Sequence, residues 1–239
     1  MLNFGRFSHI SFDCYGTLID WESGILATLM PLMAHHGVEM DAANLLEAYA
    51  EAEEWAERQF VGPSEEQAHK SYRAVLGETV SALGNRFGFA PTVEERGLLA
   101  ERLPTWPPFG DTIESLTKLA TRYELVVLSN IDRDLFAGTQ DRLGVTFSAV
   151  ISAEELEIYK PAPLFFEMAH ERLAVPKHEW LHVAQSCFHD IAPAQAYGLS
   201  TVRVDRRHGS EGSGATPPSA AVADLTCRSL AELLTCMDL

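Results

Sequence analysis

Asp13 ends the mostly apolar run SHISF and is followed three residues later by a Gly16-Thr17 turn. A carboxylate withdrawn from water is costly unless something pairs with it. Asp13 is therefore either a structural acid that ties down the turn or a carboxylate aimed at a substrate. Polar groups recur after later apolar runs: Ser129 and Asn130 after ELVVL, Lys160 ahead of Pro161, and Gln185 through Asp190 after WLHVA. Each has an ordinary reading when taken alone. Thr17 is a turn hydroxyl, Ser129-Asn130 and Asp190 are helix caps, and Lys160 is a solvated charge held in extended or turn geometry by the proline after it.

The elements that carry these residues alternate. HISF, ELVVLSN, SAVIS, WLHVAQ and STVRVD read as strands, and DTIESLTKLATRY, DLFAGTQDRLG, PLFFEMAHERLAV and DIAPAQAYG as amphipathic helices between the later ones. Near-continuous apolar strands alternating with helices predict an α/β fold, a parallel sheet covered by helices on both faces. Residues 21–107 break the alternation. They hold helical patterns such as ILATLMPLMAHHG and DAANLLEAYAEAEEWAERQF, separated by Gly and Pro breaks. This predicts an α/β core domain from residues 1–20 and 108–239, with an inserted helical cap domain over 21–107. PTWPPFGD is the returning joint, and RRHGSEGSGATPPSAA is loop. Open α/β sheets place their sites beyond the carboxyl ends of the strands, so Asp13, Ser129, Asn130 and Gln185 to Asp190 converge on one sheet edge, where the insertion would sit as a lid.

Composition narrows the partner. Lys plus Arg number 18 against 34 Asp plus Glu, a formal charge of −16. Nucleic acid and anionic membrane surfaces both require a positive face, so neither is expected. An anionic substrate must then find a local cation against the global field. The cysteines Cys14, Cys187, Cys227 and Cys236 show no metal-ligand spacing, and no apolar run approaches the roughly 18 residues of a membrane span. Free thiols in a reducing cytoplasm are expected, with the chain acting singly or as a homodimer.

The order Asp13-x-Tyr15-Gly16-Thr17, Leu128-Ser129-Asn130, Tyr159-Lys160-Pro161, then Gln185 through Asp190 resembles the haloacid dehalogenase superfamily, over about residues 8–206. The resemblance implies a Rossmann-like core and makes Asp13 the nucleophile. Phosphatases of that superfamily use Asp-x-Asp with Mg²⁺. Here Tyr15 replaces the second acid and Gln185 stands where a metal-holding acid is usual, so no metal or other cofactor is expected. Asp-x-Tyr-Gly-Thr is similar to the 2-haloacid dehalogenase branch. There the carboxylate displaces halide from a small 2-haloalkanoic acid, and water hydrolyses the resulting ester. By that resemblance Thr17 and Lys160 hold and orient Asp13, and Asp190 pairs with Lys160 and helps place the water. Ser129 and Asn130 bind the substrate carboxylate or halide. Lys160 supplies the local cation, and as a strand-end lysine it is expected to contribute little to folding.

Departures from the branch are visible. Gln185 and Cys187 stand where it carries Ser and Asn, and Phe166 where it carries a tyrosine. Its cap arginine has Arg58 as the nearest candidate, with a solvated helix-face arginine as the alternative. Tyr15 and Trp21 are expected to form an aromatic wall beside Asp13. These features, with VAQSCFHD and the later RRHGSEGSGATPP, also resemble the L-azetidine-2-carboxylate hydrolases. Those enzymes open a strained ring at a carbon attached to nitrogen, and aromatic walls suit an ammonium.

Overall fold

The computed structural model describes residues 2–58, 70–210 and 212–239. Its centre is a six-stranded sheet: β1 (His9–Phe12), β2 (Glu124–Ser129), β3 (Ala149–Ser152), β4 (Trp180–Ala184), β5 (Ser200–Val204) and β6 (Leu225–Cys227), ordered β3-β2-β1-β4-β5-β6. Every ladder is parallel. The apolar runs become strands because both sheet faces are covered: every residue of β4, and all of β2 after Glu124, is buried. In the central ladders Phe12 pairs with Val127 on one side and Val183 on the other. That register brings the carboxyl ends of β1, β2 and β4 level and sets Asp13, Ser129 and Gln185 side by side. The α/β class and parallel sheet agree with the sequence reading.

Between β1 and β2 in the chain lie α1 (Trp21–His35), α2 (Ala42–Arg58), α3 (Tyr72–Phe87) and α4 (Val93–Arg102). Local chemistry sets their ends. The Asp20 side chain accepts from Ser23 N at the start of α1, and Thr92 with Glu95 forms a capping box on α4. The remaining helices are α5 (Thr112–Leu119), α6 (Arg133–Leu143), α7 (Ala153–Leu156), α8 (Pro163–Leu173), α9 (Ala192–Tyr197) and α10 (Leu230–Cys236).

Contacts from the turns after β2 and β3 tie these helices to the sheet edge. Asp132, in the turn after β2, accepts from the backbone N–H groups of Tyr72 and Arg73 at 2.8 and 2.9 Å. These are orphan donors at the first turn of α3, so a carboxylate from the turn after β2 caps that helix. The Tyr159 hydroxyl donates to the Lys70 carbonyl at 2.8 Å.

Three details differ from the sequence reading. Ser129-Asn130 does not cap α6; Asp132 holds that position. Asp190 does not cap α9, because a π-helical turn, Cys187–Ile191, precedes that helix and contains it. Strand β6 was not anticipated, since three residues within the polar tail are too few to show a period. Among the described residues all four cysteines are free, and no helix is long and apolar enough to cross a membrane.

Candidate active site

The turn after β1 holds Asp13 in a fixed pose. Gly16 takes φ +90°, a conformation open to glycine and strained for other residues, and the chain folds back so that the Thr17 hydroxyl donates to Asp13 Oδ2 at 2.7 Å. Thr17 Oγ1 in turn accepts from the backbone N–H of Gln185 at 2.9 Å, which locks the turn to the end of β4. A glycine is also needed for space: a Cβ at Gly16 would lie 2.8 Å from Trp21 Nε1.

Lys160 is 1% exposed. Its Nζ donates to Asp13 Oδ1 at 2.9 Å, to Asp190 Oδ1 at 2.6 Å and to the Leu128 carbonyl at 2.9 Å. An ammonium has three N–H donors, and all three are engaged. The expectation that Lys160 is a strand-end lysine of little weight in folding is therefore corrected. It is the buried counter-charge of two carboxylates.

Behind Asp190 runs a chain of buried hydrogen bonds that the sequence did not disclose. Trp180 Nε1 donates to Ser11 Oγ at 2.7 Å, Ser11 Oγ meets His182 Nδ1 at 2.8 Å, and His182 Nε2 lies 3.1 Å from Asp190 Oδ1. A carboxylate can only accept, so the proton on this side belongs to Nε2. Phe166 packs edge-on against the His182 ring, centroids 5.2 Å apart. Burial pushes the Asp190 carboxyl up, but Lys160 and His182 outweigh it and hold the group down at about 2. Burial raises Asp13 from its ordinary value, with Lys160 and Thr17 opposing. Burial lowers Lys160, but Asp13 and Asp190 outweigh that and raise it.

These groups line a cavity between the sheet edge and the insertion, with about 40 Å³ of room for water-sized spheres. One water needs about 10–15 Å³ by that measure, so only a small molecule fits. Asp13, Tyr15, Trp21, Ser129, Asn130, Lys160, Gln185 and Asp190 all face it. Thr17 lies beneath, holding Asp13. Tyr15 presents its ring, since its hydroxyl is engaged with Thr139 Oγ1 at 2.8 Å. Trp21 packs edge-on against Tyr49, centroids 6.1 Å apart. Asn130 is more occupied than expected. Its amide brackets the Lys160 backbone, donating to the carbonyl at 2.9 Å and accepting from the N–H at 2.7 Å.

Arg58 is placed elsewhere. It is exposed at the end of α2, pairs with Glu54, and does not face the cavity. It directly follows Glu57, which does. A helix turns by about 100° per residue, so neighbours in sequence face different directions. Ser186 and His189, within the stretch from Gln185 to Asp190 that the sequence places at this edge, also line it; Glu53, Glu57, Tyr72 and Thr216 complete the lining and were missed. The available signal was spacing: Tyr49, Glu53 and Glu57 are four apart and form one stripe on α2. Burial lowers His189 to about 4, so its ring is neutral near pH 7.

Similarity to known proteins agrees with this architecture. The (S)-2-haloacid dehalogenase 4A of Burkholderia cepacia is 25% identical over 204 residues, 82% of this chain and 82% of the relative. The (S)-2-haloacid dehalogenase of Xanthobacter autotrophicus is 27% identical, over 82% of this chain and 74% of that one. The crystal structure of a defluorinating L-2-haloacid dehalogenase matches 98% of this chain and 96% of its own, with a TM-score of 0.80 at 20% identity. That of the Xanthobacter L-2-haloacid dehalogenase with chloropropionic acid covalently bound gives 0.77 at 22%, covering 97% of this chain and 98% of its own. These likenesses establish the fold. The family model for haloacid dehalogenase-like hydrolases matches residues 7–198, and the chain belongs to that family.

Proposed function

We propose that this hydrolase displaces a leaving group from C2 of a small 2-substituted carboxylate, with Asp13 as nucleophile and an ester on Asp13 as intermediate. The observation that carries the reading is the three-way contact of Lys160 Nζ with Asp13, Asp190 and the Leu128 carbonyl. It fixes one oxygen of Asp13 while Thr17 fixes the other, leaving a rigid carboxylate at the floor of a small cavity. Orientation of this kind replaces the entropy loss that a free nucleophile would suffer, and the covalent route divides one displacement into two easier steps. The helical insertion serves as the cap that excludes water.

The residues fit a divalent ion poorly. Tyr15 and Gln185 stand where metal-dependent members of the superfamily carry acids, and one oxygen each of Asp13 and Asp190 is bonded to the Lys160 ammonium, so no step is routed through a metal. Halide is the leaving group that the relatives' names supply, so 2-haloalkanoates are the first substrates in this reading. A second reading, opening of a strained cyclic amino acid, is favoured by the rings of Tyr15, Trp21 and Tyr72 around the cavity. No arginine faces it among the described residues.

A panel of small 2-halo and cyclic 2-amino carboxylates, assayed for 2-hydroxy acid product in EDTA, tests the proposal, with a phosphate monoester as control. Turnover that EDTA leaves intact supports it. Phosphatase activity restored by Mg²⁺ overturns it.

A further inference from the structure

We infer that His35, His36 and Glu95 form a binding site for one divalent transition-metal ion, of the Zn²⁺ and Ni²⁺ class, which clips the end of α1 to the start of α4. None of the three lines the cavity that holds Asp13. The site is therefore separate from the chemistry proposed there and is tested without it.

The three side chains come from two helices of the insertion. His35 is the last residue of α1 and His36 its C-cap, while Glu95 lies in the first turn of α4. Each offers one ligand atom, and these atoms all lie within 4.8 Å of one another. His36 Nε2 and Glu95 Oε1 are already 2.9 Å apart. A carboxylate only accepts, so a proton on Nε2 joins them. A bound ion takes the place of that proton, and the ring then carries its hydrogen on Nδ1. Bonds of about 2.0–2.1 Å to imidazole and about 2.0–2.2 Å to carboxylate, at a tetrahedral angle, set the two atoms about 3.4 Å apart. The pair need open by only about half an ångström to reach that geometry.

Two of the three ligands are held in place before any ion arrives. The His36 ring stacks on Phe89, with centroids 4.1 Å apart and planes 10° from parallel. Glu95 closes the capping box of α4, where its Oε2 accepts from the Thr92 backbone N–H at 2.8 Å and leaves Oε1 for His36. Bonds that orient a ligand in this way strengthen a metal site. His35 supplies the freedom to close on the ion. It is exposed, its ring lies edge-on to His36 with centroids 5.0 Å apart, and among the described residues no hydrogen bond engages it. An ion pair of His36 with Glu95 has no need of His35. The third donor, adjustable and beside the pair, is what makes a site of it.

The donor set names the ion. Two imidazoles and a carboxylate suit Zn²⁺, Ni²⁺ and Cu²⁺, whereas Mg²⁺ and Ca²⁺ take oxygen ligands. Three protein ligands leave a fourth position for water on the exposed side. The formal charge of −16 draws cations toward the surface. An ion that binds only when α1 and α4 are docked stabilises the folded insertion.

The test is calorimetry of the untagged, chelator-stripped full chain with Zn²⁺, in a Cys236→Ser background that removes the exposed thiol. One ion per chain is expected, with a rise in thermal midpoint. His35→Gln and Glu95→Gln are each expected to weaken binding by at least about tenfold. Neither should unfold the insertion, since His35 is exposed and glutamine also serves a capping box. Co²⁺ in place of Zn²⁺ reads the ligands directly, as a visible absorption band that weakens in both variants. Absence of saturable one-ion binding, binding that either variant leaves unchanged, or displacement of Zn²⁺ by Mg²⁺ overturns the inference.

Discussion

Lys160 Nζ and Asp190 Oδ1 are 2.6 Å apart, with both side chains only 1% exposed. Removing one member of a buried ion pair leaves the other uncompensated, at a cost of about 3–5 kcal/mol, and here two carboxylates would be stranded. Lys160→Met is therefore expected to lose about that much stability at pH 7 in urea unfolding, and at least about a hundredfold in turnover. The sign with pH follows from Asp190, whose folded value of about 2 lies below its ordinary 3.8. Its contribution is present above about pH 4 and fades as pH falls through about 2, so the gap between wild type and variant should narrow in acid. A variant with unaltered stability and turnover would make Lys160 a bystander.

Glu53 works in the opposite direction. Its folded value of about 7 lies above the ordinary 4.5, because burial outweighs the two tyrosine hydrogen bonds. The folded state then holds the proton more tightly than the unfolded one. Stability is full below about pH 4.5, declines as pH rises toward 7 and is level beyond, a loss on the order of 3 kcal/mol. Glu53→Gln keeps an oxygen to accept from Tyr49 and Tyr72 and cannot ionise, so it should lose that slope and exceed the wild type at pH 8. Parallel pH profiles for the two proteins in denaturant titration would show that Glu53 is not held in this way.

Gly16 is tested by one methyl. With φ at +90° and Trp21 Nε1 2.8 Å from any Cβ, Gly16→Ala should cost about 1–3 kcal/mol of stability. It should also raise KM, since Trp21 lines the cavity. Thermal midpoint and steady-state kinetics measured together check both, and a variant normal in each would mean the turn relaxes freely.

The cavity floor was legible because polar residues sit at strand ends: Asp13, Ser129 and Gln185 follow apolar runs whose parallel register brings them level. The burial of Lys160 was not legible, since a lone lysine before proline reads as solvated, and only the convergence of Asp13 and Asp190 draws it inside. The roof was harder still. EAYAEAEEWAER reads from the sequence only as a helical pattern, rich in Glu. The four-residue spacing groups Tyr49, Glu53 and Glu57 on one stripe, but whether that stripe turns inward depends on how α2 rotates against α3, and the resemblance pointed to Arg58 in place of Glu57. Thr216 lay in a loop rich in Gly, Ser and Pro, which carries no period to place it.

The central claim is that Asp13 attacks carbon. A single turnover in H₂¹⁸O, with enzyme in excess over whichever of L-azetidine-2-carboxylate or (S)-2-chloropropionate is turned over, tests it most directly. The account predicts heavy oxygen in the peptide that contains Asp13 and an unlabelled product, because the product's new oxygen comes from the carboxylate and solvent oxygen replaces it. Label in the product with none on that peptide would contradict it and make Asp13 a base that activates water.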